Sequence, residues 1–160
     1  MITHPFPPVF DANAKILILG SFPSVKSREQ NFYYGHPQNR FWKVVSAIYG
    51  ESTPTTIAEK KSFLLRNQIA VWDVIASCDI VGSSDSSIKN VQVNDLSIIL
   101  HTAKISAIYT NGKAAHKYYT KYTQCIAKRE AICLPSTSPA NALWSLERLI
   151  EAWRNIIFFS

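Results

Sequence analysis

At 160 residues with a formal net charge of +6, the chain is the size of one domain and long enough to bury a core. Hydrophobic residues at 47% and charged residues at 18% are ordinary globular values and exclude a disordered chain, and no apolar run approaches the roughly 20 residues that cross a bilayer. The positive balance favours an anionic partner, because lysine and arginine neutralise phosphates and release their counterions.

The chain opens on MITHPFPPVF, which has no basic start followed by an apolar core; no secretory signal is expected, and a cytoplasmic protein is the reading. AKILILG (Ala14–Gly20) is a continuous apolar run stopped by glycine, the pattern of a strand buried on both faces. YYGHPQNRFW (Tyr33–Trp42) then gathers aromatic, amide and basic side chains as if to hold something flat. Phe41 to Tyr49 has helical apolar spacing, with Gly50 as its stop, and Thr56 to Asn67 reads as a second helix. IAVWDVI (Ile69–Ile75) predicts another strand, followed by a loop, SCDIVGSSDSSIKN, rich in serine, aspartate and glycine. Val93 to Thr102 suggests a helix with Asn94 as its cap. ISAIYTNG (Ile105–Gly112) predicts a third strand, Lys113 to Tyr122 a helix and EAICLP (Glu130–Pro135) a fourth strand. STSPAN is a loop, and Ala142 to Ile156 a final amphipathic helix. Cys78, Cys125 and Cys133 are odd in number and share no C-x-x-C spacing, so reduced, mostly buried thiols are expected, with no disulfide, zinc site or iron–sulfur cluster.

Four strands separated by helices imply right-handed crossovers and an α/β domain over residues 1–160 with a largely parallel sheet covered on both faces. Ligands of such sheets bind beyond the carboxyl ends of the strands. The loops to inspect are therefore GSFPS, DVIASCDIVGSSD, TNGK and PSTSPAN, and all four should converge on one edge.

GSFPS (Gly20–Ser24) after the first strand and PSTSPAN (Pro135–Asn141) after the last resemble the two signature loops of the uracil-DNA glycosylase superfamily. GHPQNRFWK (Gly35–Lys43) resembles a segment of its mismatch-specific uracil branch. YYGHPQNRFW, WDVIASC, GSSDSSI and LPSTSPAN together are most similar to the hypoxanthine-DNA (deoxyinosine) glycosylase group. The similarity runs over nearly the whole chain, in the right order. It implies a three-layer α/β/α sandwich with a central four-stranded parallel sheet. The implied enzyme flips a deaminated base out of DNA and hydrolyses its N-glycosidic bond, leaving an abasic site. It needs no cofactor and no metal, and a monomer suffices for the chemistry.

The resemblance also carries residues. Where many relatives place an aspartate or asparagine to hold the attacking water, this chain has Phe22, which would pack near the base beside Gly20 and Ser21. The water-holding role then falls to Asn39, whose amide oxygen can orient a water without taking its proton. Tyr34 stands where relatives stack an aromatic ring on the base, with Tyr33 as a second wall, while Phe41 and Trp42 read as core and His36 as structural. Asp73 ends a strand where the superfamily carries an asparagine that reads uracil. A carboxylate there accepts the ring N–H of a lactam such as hypoxanthine but offers the adjoining carbonyl no donor; a capping or loop-bracing aspartate is the competing reading. Asp85 is expected to brace its loop. Ser24, Ser136 and Ser138, with Gly112 and Lys113, would grip phosphates, and Ala140 or Asn141 would fill the gap left by the flipped base. Leu134 replaces the histidine that other branches use to stabilise the departing base, so backbone N–H groups near Gly20–Phe22 must do so. No lysine lies in the pocket motifs, which points to a monofunctional hydrolase. Two alternatives stay open: a mismatch-specific uracil enzyme, and a non-catalytic binder of damaged DNA. A nucleotide-binding domain is disfavoured because no Gly-x-Gly-x-x-Gly or Walker loop is present.

Overall fold

The computed structural model describes residues 1–158. Its elements in chain order are β1 (Ile2–Thr3), β2 (Ile16–Gly20), α1 (Val25–Gln30), α2 (Phe41–Ile48), α3 (Ile57–Arg66), β3 (Ile69–Asp73), β4 (Ile75–Asp79), β5 (Lys89–Val93) and α4 (Ser97–Leu100). The chain continues through β6 (Ala107–Asn111), α5 (Lys113–Tyr118), α6 (Gln124–Ala127), β7 (Ile132–Leu134) and α7 (Leu146–Trp153). A π-helical turn over Tyr119–Thr123 joins α5 to α6.

The core of a three-layer α/β/α sandwich is a parallel sheet in the order β3–β2–β6–β7. Residues 16–19 of β2 are wholly buried, as are Ile69 to Val71 of β3, so both faces are covered and the continuous apolar runs are explained. The outer edge of β3 is closed by Val9, which exchanges N–H···O bonds of 3.0 and 2.9 Å with Val71. Local chemistry fixes the helix ends as expected for α2 and α3. Thr56 and Glu59 form a reciprocal capping box at the start of α3, and Gly50, with φ of +67°, follows α2 in the left-handed region.

Three expectations need correction. The run Ile69–Ile75 is not one strand: Val74 is the step at which the chain leaves the parallel sheet for a second, antiparallel one ordered β1–β4–β5. Burial continues through Val74 and Ile75, so the apolar run conceals the break. The serine-rich segment after it is therefore not simply a loop but a hairpin, β4 and β5 joined by a tip around Val81–Ser87 that carries a short 3₁₀ turn at Asp85–Ser87. The helix expected over Val93–Thr102 shrinks to α4. Asn94 does not cap it; its amide donates to the carbonyls of Asp73 (2.9 Å) and Ile75 (3.3 Å) and pins the sheet switch. Among the described residues no helix is long and apolar enough to cross a membrane.

Candidate active site

The carboxyl edge of the parallel sheet opens into a cavity of about 110 Å³, several times the roughly 10–15 Å³ that one water needs. Four separate segments line it: Gly20–Ser24 after β2, Asp73 with Ser83 and Asp85 around the hairpin, Asn111 at the end of β6, and Ser136–Ser138 after β7. Ser27, Tyr33, Tyr34 and Asn39 complete the lining.

One wall carries carboxylates. Asp73 sits opposite Gly20 in the β2–β3 register, and a Cβ on residue 20 would lie 2.3 Å from Asp73 Oδ1. Only glycine leaves room for the carboxylate to lie across the strand end. Asp73 Oδ2 is held by Nε2 of His4 at 2.7 Å, each side chain 5% exposed, while Oδ1 takes no hydrogen bond among the described residues. Asp85, at the rim, accepts from Ser21 Oγ at 3.1 Å. Loss of solvent pushes its carboxyl above the usual range, the Ser21 bond pulls it back, and the charge of Asp73 pushes it up again. Phe22 is buried beside His4, the two rings edge to face at 5.9 Å.

The aromatic floor is firmly packed. Tyr33 is buried and donates its hydroxyl to the Pro7 carbonyl at 2.8 Å. Tyr34 stacks one ring face on Phe41, centroids 4.1 Å apart, and its buried hydroxyl has no hydrogen-bond partner among the described residues. The Tyr34 hydroxyl lies 3.2 Å from where a Gly20 Cβ would be, on the same side as Asp73 Oδ1. Burial first, and the Asp73 charge second, push both phenols far above their ordinary value; the nearby Asn111 amide tempers this at Tyr34. Phe41 and Trp42 are core. His36 accepts the Gln38 N–H and shapes a turn.

The opposite wall is neutral. Asn39 Oδ1 accepts from the N–H of Phe41 and from Thr137 Oγ1, each at 2.9 Å. Both lone pairs are thus occupied, so the expected water contact through the amide oxygen is corrected: Nδ2 is the Asn39 atom left without a partner among the described residues. Thr137, fully buried, receives Asn111 Nδ2 at 3.0 Å on its hydroxyl, and its own N–H donates to Asn111 Oδ1 at 3.0 Å. Arg40 clamps the loop behind this relay by donating to the carbonyls of Ser138 and Asn141 at 3.0 Å and to that of Trp144.

The serines serve turns while keeping some donors. Ser24 caps α1 by accepting the Ser27 N–H, and it gives its proton to Ser27 Oγ. Ser136 and Ser138 accept the N–H groups of Ser138 and Ala140, and their own hydroxyl protons have no acceptor among the described residues. Gly112 and Lys113 do not line the cavity. Gly112, at φ +97°, packs where a Cβ would meet Ser136 Cβ at 2.9 Å, and Lys113 is exposed at the start of α5. Asn141 is tied into its loop through Nδ2 to the Ser136 carbonyl, and Ala140 is small and exposed. Two residues beyond Asn141, Leu143 is 92% exposed, the most exposed large apolar side chain among the described residues.

His4, Thr137, Asn111, Arg40 and Leu143 were not among the residues expected at the site. Arg40 lay inside the quoted YYGHPQNRFW segment, and Thr137 sat between the two serines assigned to phosphates. His4 gave no local signal, because its partner is 69 residues away. The cysteine reading is half corrected: all three thiols are free, yet only Cys78 is buried, while Cys125 and Cys133 are exposed. Among the described residues no group of three or more His, Cys, Asp or Glu side chains is arranged to hold a metal ion.

Comparison with known proteins bears on this arrangement. Residues 7–157 match the family model of the uracil DNA glycosylase superfamily. A hypoxanthine DNA glycosylase of Methanosarcina acetivorans is 39% identical over 153 residues, spanning 94% of this chain and 96% of the relative. One of Methanosarcina barkeri is 38% identical over 115 residues, spanning 71% and 73%. The solution NMR structure of a candidate uracil DNA glycosylase from Methanosarcina acetivorans superposes with a TM-score of 0.83 at 36% identity, covering 98% of this chain and 97% of its own.

Proposed function

The chain belongs to the uracil-DNA glycosylase superfamily, whose members hydrolyse N-glycosidic bonds in DNA, and we propose that it excises hypoxanthine, with uracil and xanthine as further lactam bases. The observation that carries this reading is a pair of open polar atoms in one cavity: the Asn39 Nδ2 donor and the Asp73 Oδ1 acceptor.

The duplex docks across the carboxyl edge, where Ser136 and Ser138 offer hydroxyl protons to phosphates and Lys113 adds charge. Ser24, whose proton is already donated, contributes shape more than a hydrogen bond. The damaged nucleotide rotates into the cavity at a cost of a few kcal/mol, less when the base is mispaired. Leu143 suits the gap left in the stack better than Ala140 or Asn141: it is apolar, large and already in solvent.

Within the cavity Asp73 Oδ1 accepts the ring N–H of the base, while Tyr34 and Phe22 enclose its ring. Asn39 Nδ2 donates to a water beneath the anomeric carbon. The amide cannot take a proton, so its contribution is alignment, which carries much of the entropic barrier. The C–N bond breaks as the sugar gains oxocarbenium character, as in other glycosyl hydrolyses. N–H dipoles of the Ser21–Phe22 turn face the departing base. The hydroxyl of the water ends on the sugar and its proton on the released base.

End-labelled duplexes carrying one deoxyinosine or one deoxyuridine, followed by hot alkali, test the reading. Breaks at deoxyinosine should appear with the wild type and fall by about a hundredfold or more in Asn39→Ala. In the same assay Leu143→Ala should lower excision several-fold in duplex and leave single strands unaffected. Breaks at deoxyuridine alone would make the protein a uracil enzyme. Binding without any break would leave only a damage-binding role.

A further inference from the structure

His4 lies outside every segment that carries the family resemblance, yet among the described residues it is the one side chain that touches the Asp73 carboxylate through a hydrogen bond. A backbone ladder delivers it there. Ile2 pairs with Cys78 and Thr3 with Ser77, the His4 N–H continues to the Ala76 carbonyl at 2.8 Å, and Val9 then bridges to Val71. The amino-terminal segment thus straddles the switch between the two sheets and lays the His4 ring beside the residue at that switch. A carboxylate can only accept, so with the ring proton on Nε2 His4 is the donor to Asp73 Oδ2, and the Phe6 N–H lies 3.5 Å from the remaining Nδ1. The rings of Phe6, Phe22 and Tyr33, with centroids 4.7, 5.9 and 5.9 Å away, hold the imidazole in place.

With Oδ2 tied to His4 and Oδ1 lying in the space that Gly20 leaves free, the carboxylate has one orientation. We propose that His4 is a positioning residue for base choice: by holding Asp73 Oδ2, it presents Oδ1 as a single acceptor to the flipped base. A lactam offers a ring N–H to that oxygen. Adenine offers a lone pair at the corresponding ring position and is repelled. The inference rests on the glycosylase reading and adds to it a residue whose effect passes through Asp73 alone.

The test separates reach from mere occupancy. Glutamine carries an amide N–H about as far out as Nε2, whereas asparagine carries one only as far as Nδ1. Excision of deoxyinosine is measured for the wild type, His4→Gln, His4→Asn, Asp73→Asn and the double variant His4→Asn/Asp73→Asn. Affinity is measured in parallel for a duplex with an uncleavable fluorinated deoxyinosine and for one with a tetrahydrofuran abasic site. His4→Asn should lose about ten- to a hundredfold on excision and on the deoxyinosine analogue, and hold the abasic duplex within about twofold. His4→Gln should stay within about threefold of the wild type, and His4→Asn should add almost nothing once Asp73 is asparagine. Equal losses on both duplexes, or the same loss in the Asp73→Asn background, would overturn the proposal. A wild type that leaves deoxyinosine intact would instead overturn the glycosylase reading itself.

Discussion

The two walls of the cavity treat polar atoms differently. On the neutral side Asn39, Thr137 and Asn111 are joined by three hydrogen bonds, a fourth ties in the Phe41 N–H, and Asn39, which lines the cavity, keeps Nδ2 without a partner among the described residues. On the acidic side Asp73 Oδ1 takes no hydrogen bond and the buried Tyr34 hydroxyl has no partner among the described residues, although burying a hydroxyl unpaired costs about 1–3 kcal/mol. A paired relay fixes geometry and contributes stability. Open atoms cost stability and await a ligand. On the proposed reading, the neutral wall places the water and the acidic wall reads the base.

The largest effect is expected on the neutral wall. Thr137→Val preserves volume but removes the hydroxyl that donates to Asn39 and accepts from Asn111, leaving Asn111 Nδ2 buried without its acceptor. Stability should fall by about 1–3 kcal/mol, which for a chain of this size lowers Tm by roughly 2–12 °C. Excision should fall by about tenfold or more as the Asn39 amide loses its fixed orientation, and Thr137→Ser should restore both. If Tm drops while single-turnover excision stays at the wild-type rate, the relay is a structural brace and the division between the walls fails.

What could be read in advance follows the same division between local and distant contacts. Strands β2, β3 and β6 of the parallel sheet were visible because both of their faces are buried, and α3 because Thr56 and Glu59 spell a capping box. Val74 was misread because it is as buried as its neighbours: a change of sheet without glycine or proline leaves no mark on hydropathy. The second sheet was missed for a related reason, since β5 is KNVQV, mostly exposed, and β1 is only two residues long. At the site, Asp73 was legible as the last residue of a strand and Asn39 as part of a dense polar–aromatic segment. The orientation of the Asn39 amide was not, because it depends on Thr137, 98 residues away. His4 depends in the same way on the register of β1 against β4.

A smaller effect, opposite in sign for stability, is expected on the acidic wall. Tyr34→Phe keeps the ring stacked on Phe41 and deletes only the buried hydroxyl, which has no partner among the described residues. The free protein then loses a desolvation cost, so Tm should stay level or rise by about 2–4 °C. The phenol adjoins Asp73 Oδ1 and keeps its proton, because burial and the Asp73 charge raise its pKa; it is therefore the donor available to the carbonyl beside the lactam N–H. Excision of deoxyinosine should fall about three- to tenfold, the net worth of one such hydrogen bond. Single-turnover rates and a thermal melt on the same samples separate the possibilities. A lower Tm would mean that the hydroxyl has a partner within the fold, and the contrast between the walls would be lost. An unchanged rate would leave Tyr34 with its ring alone, and reading of the base would then rest on Asp73 without a donor beside it.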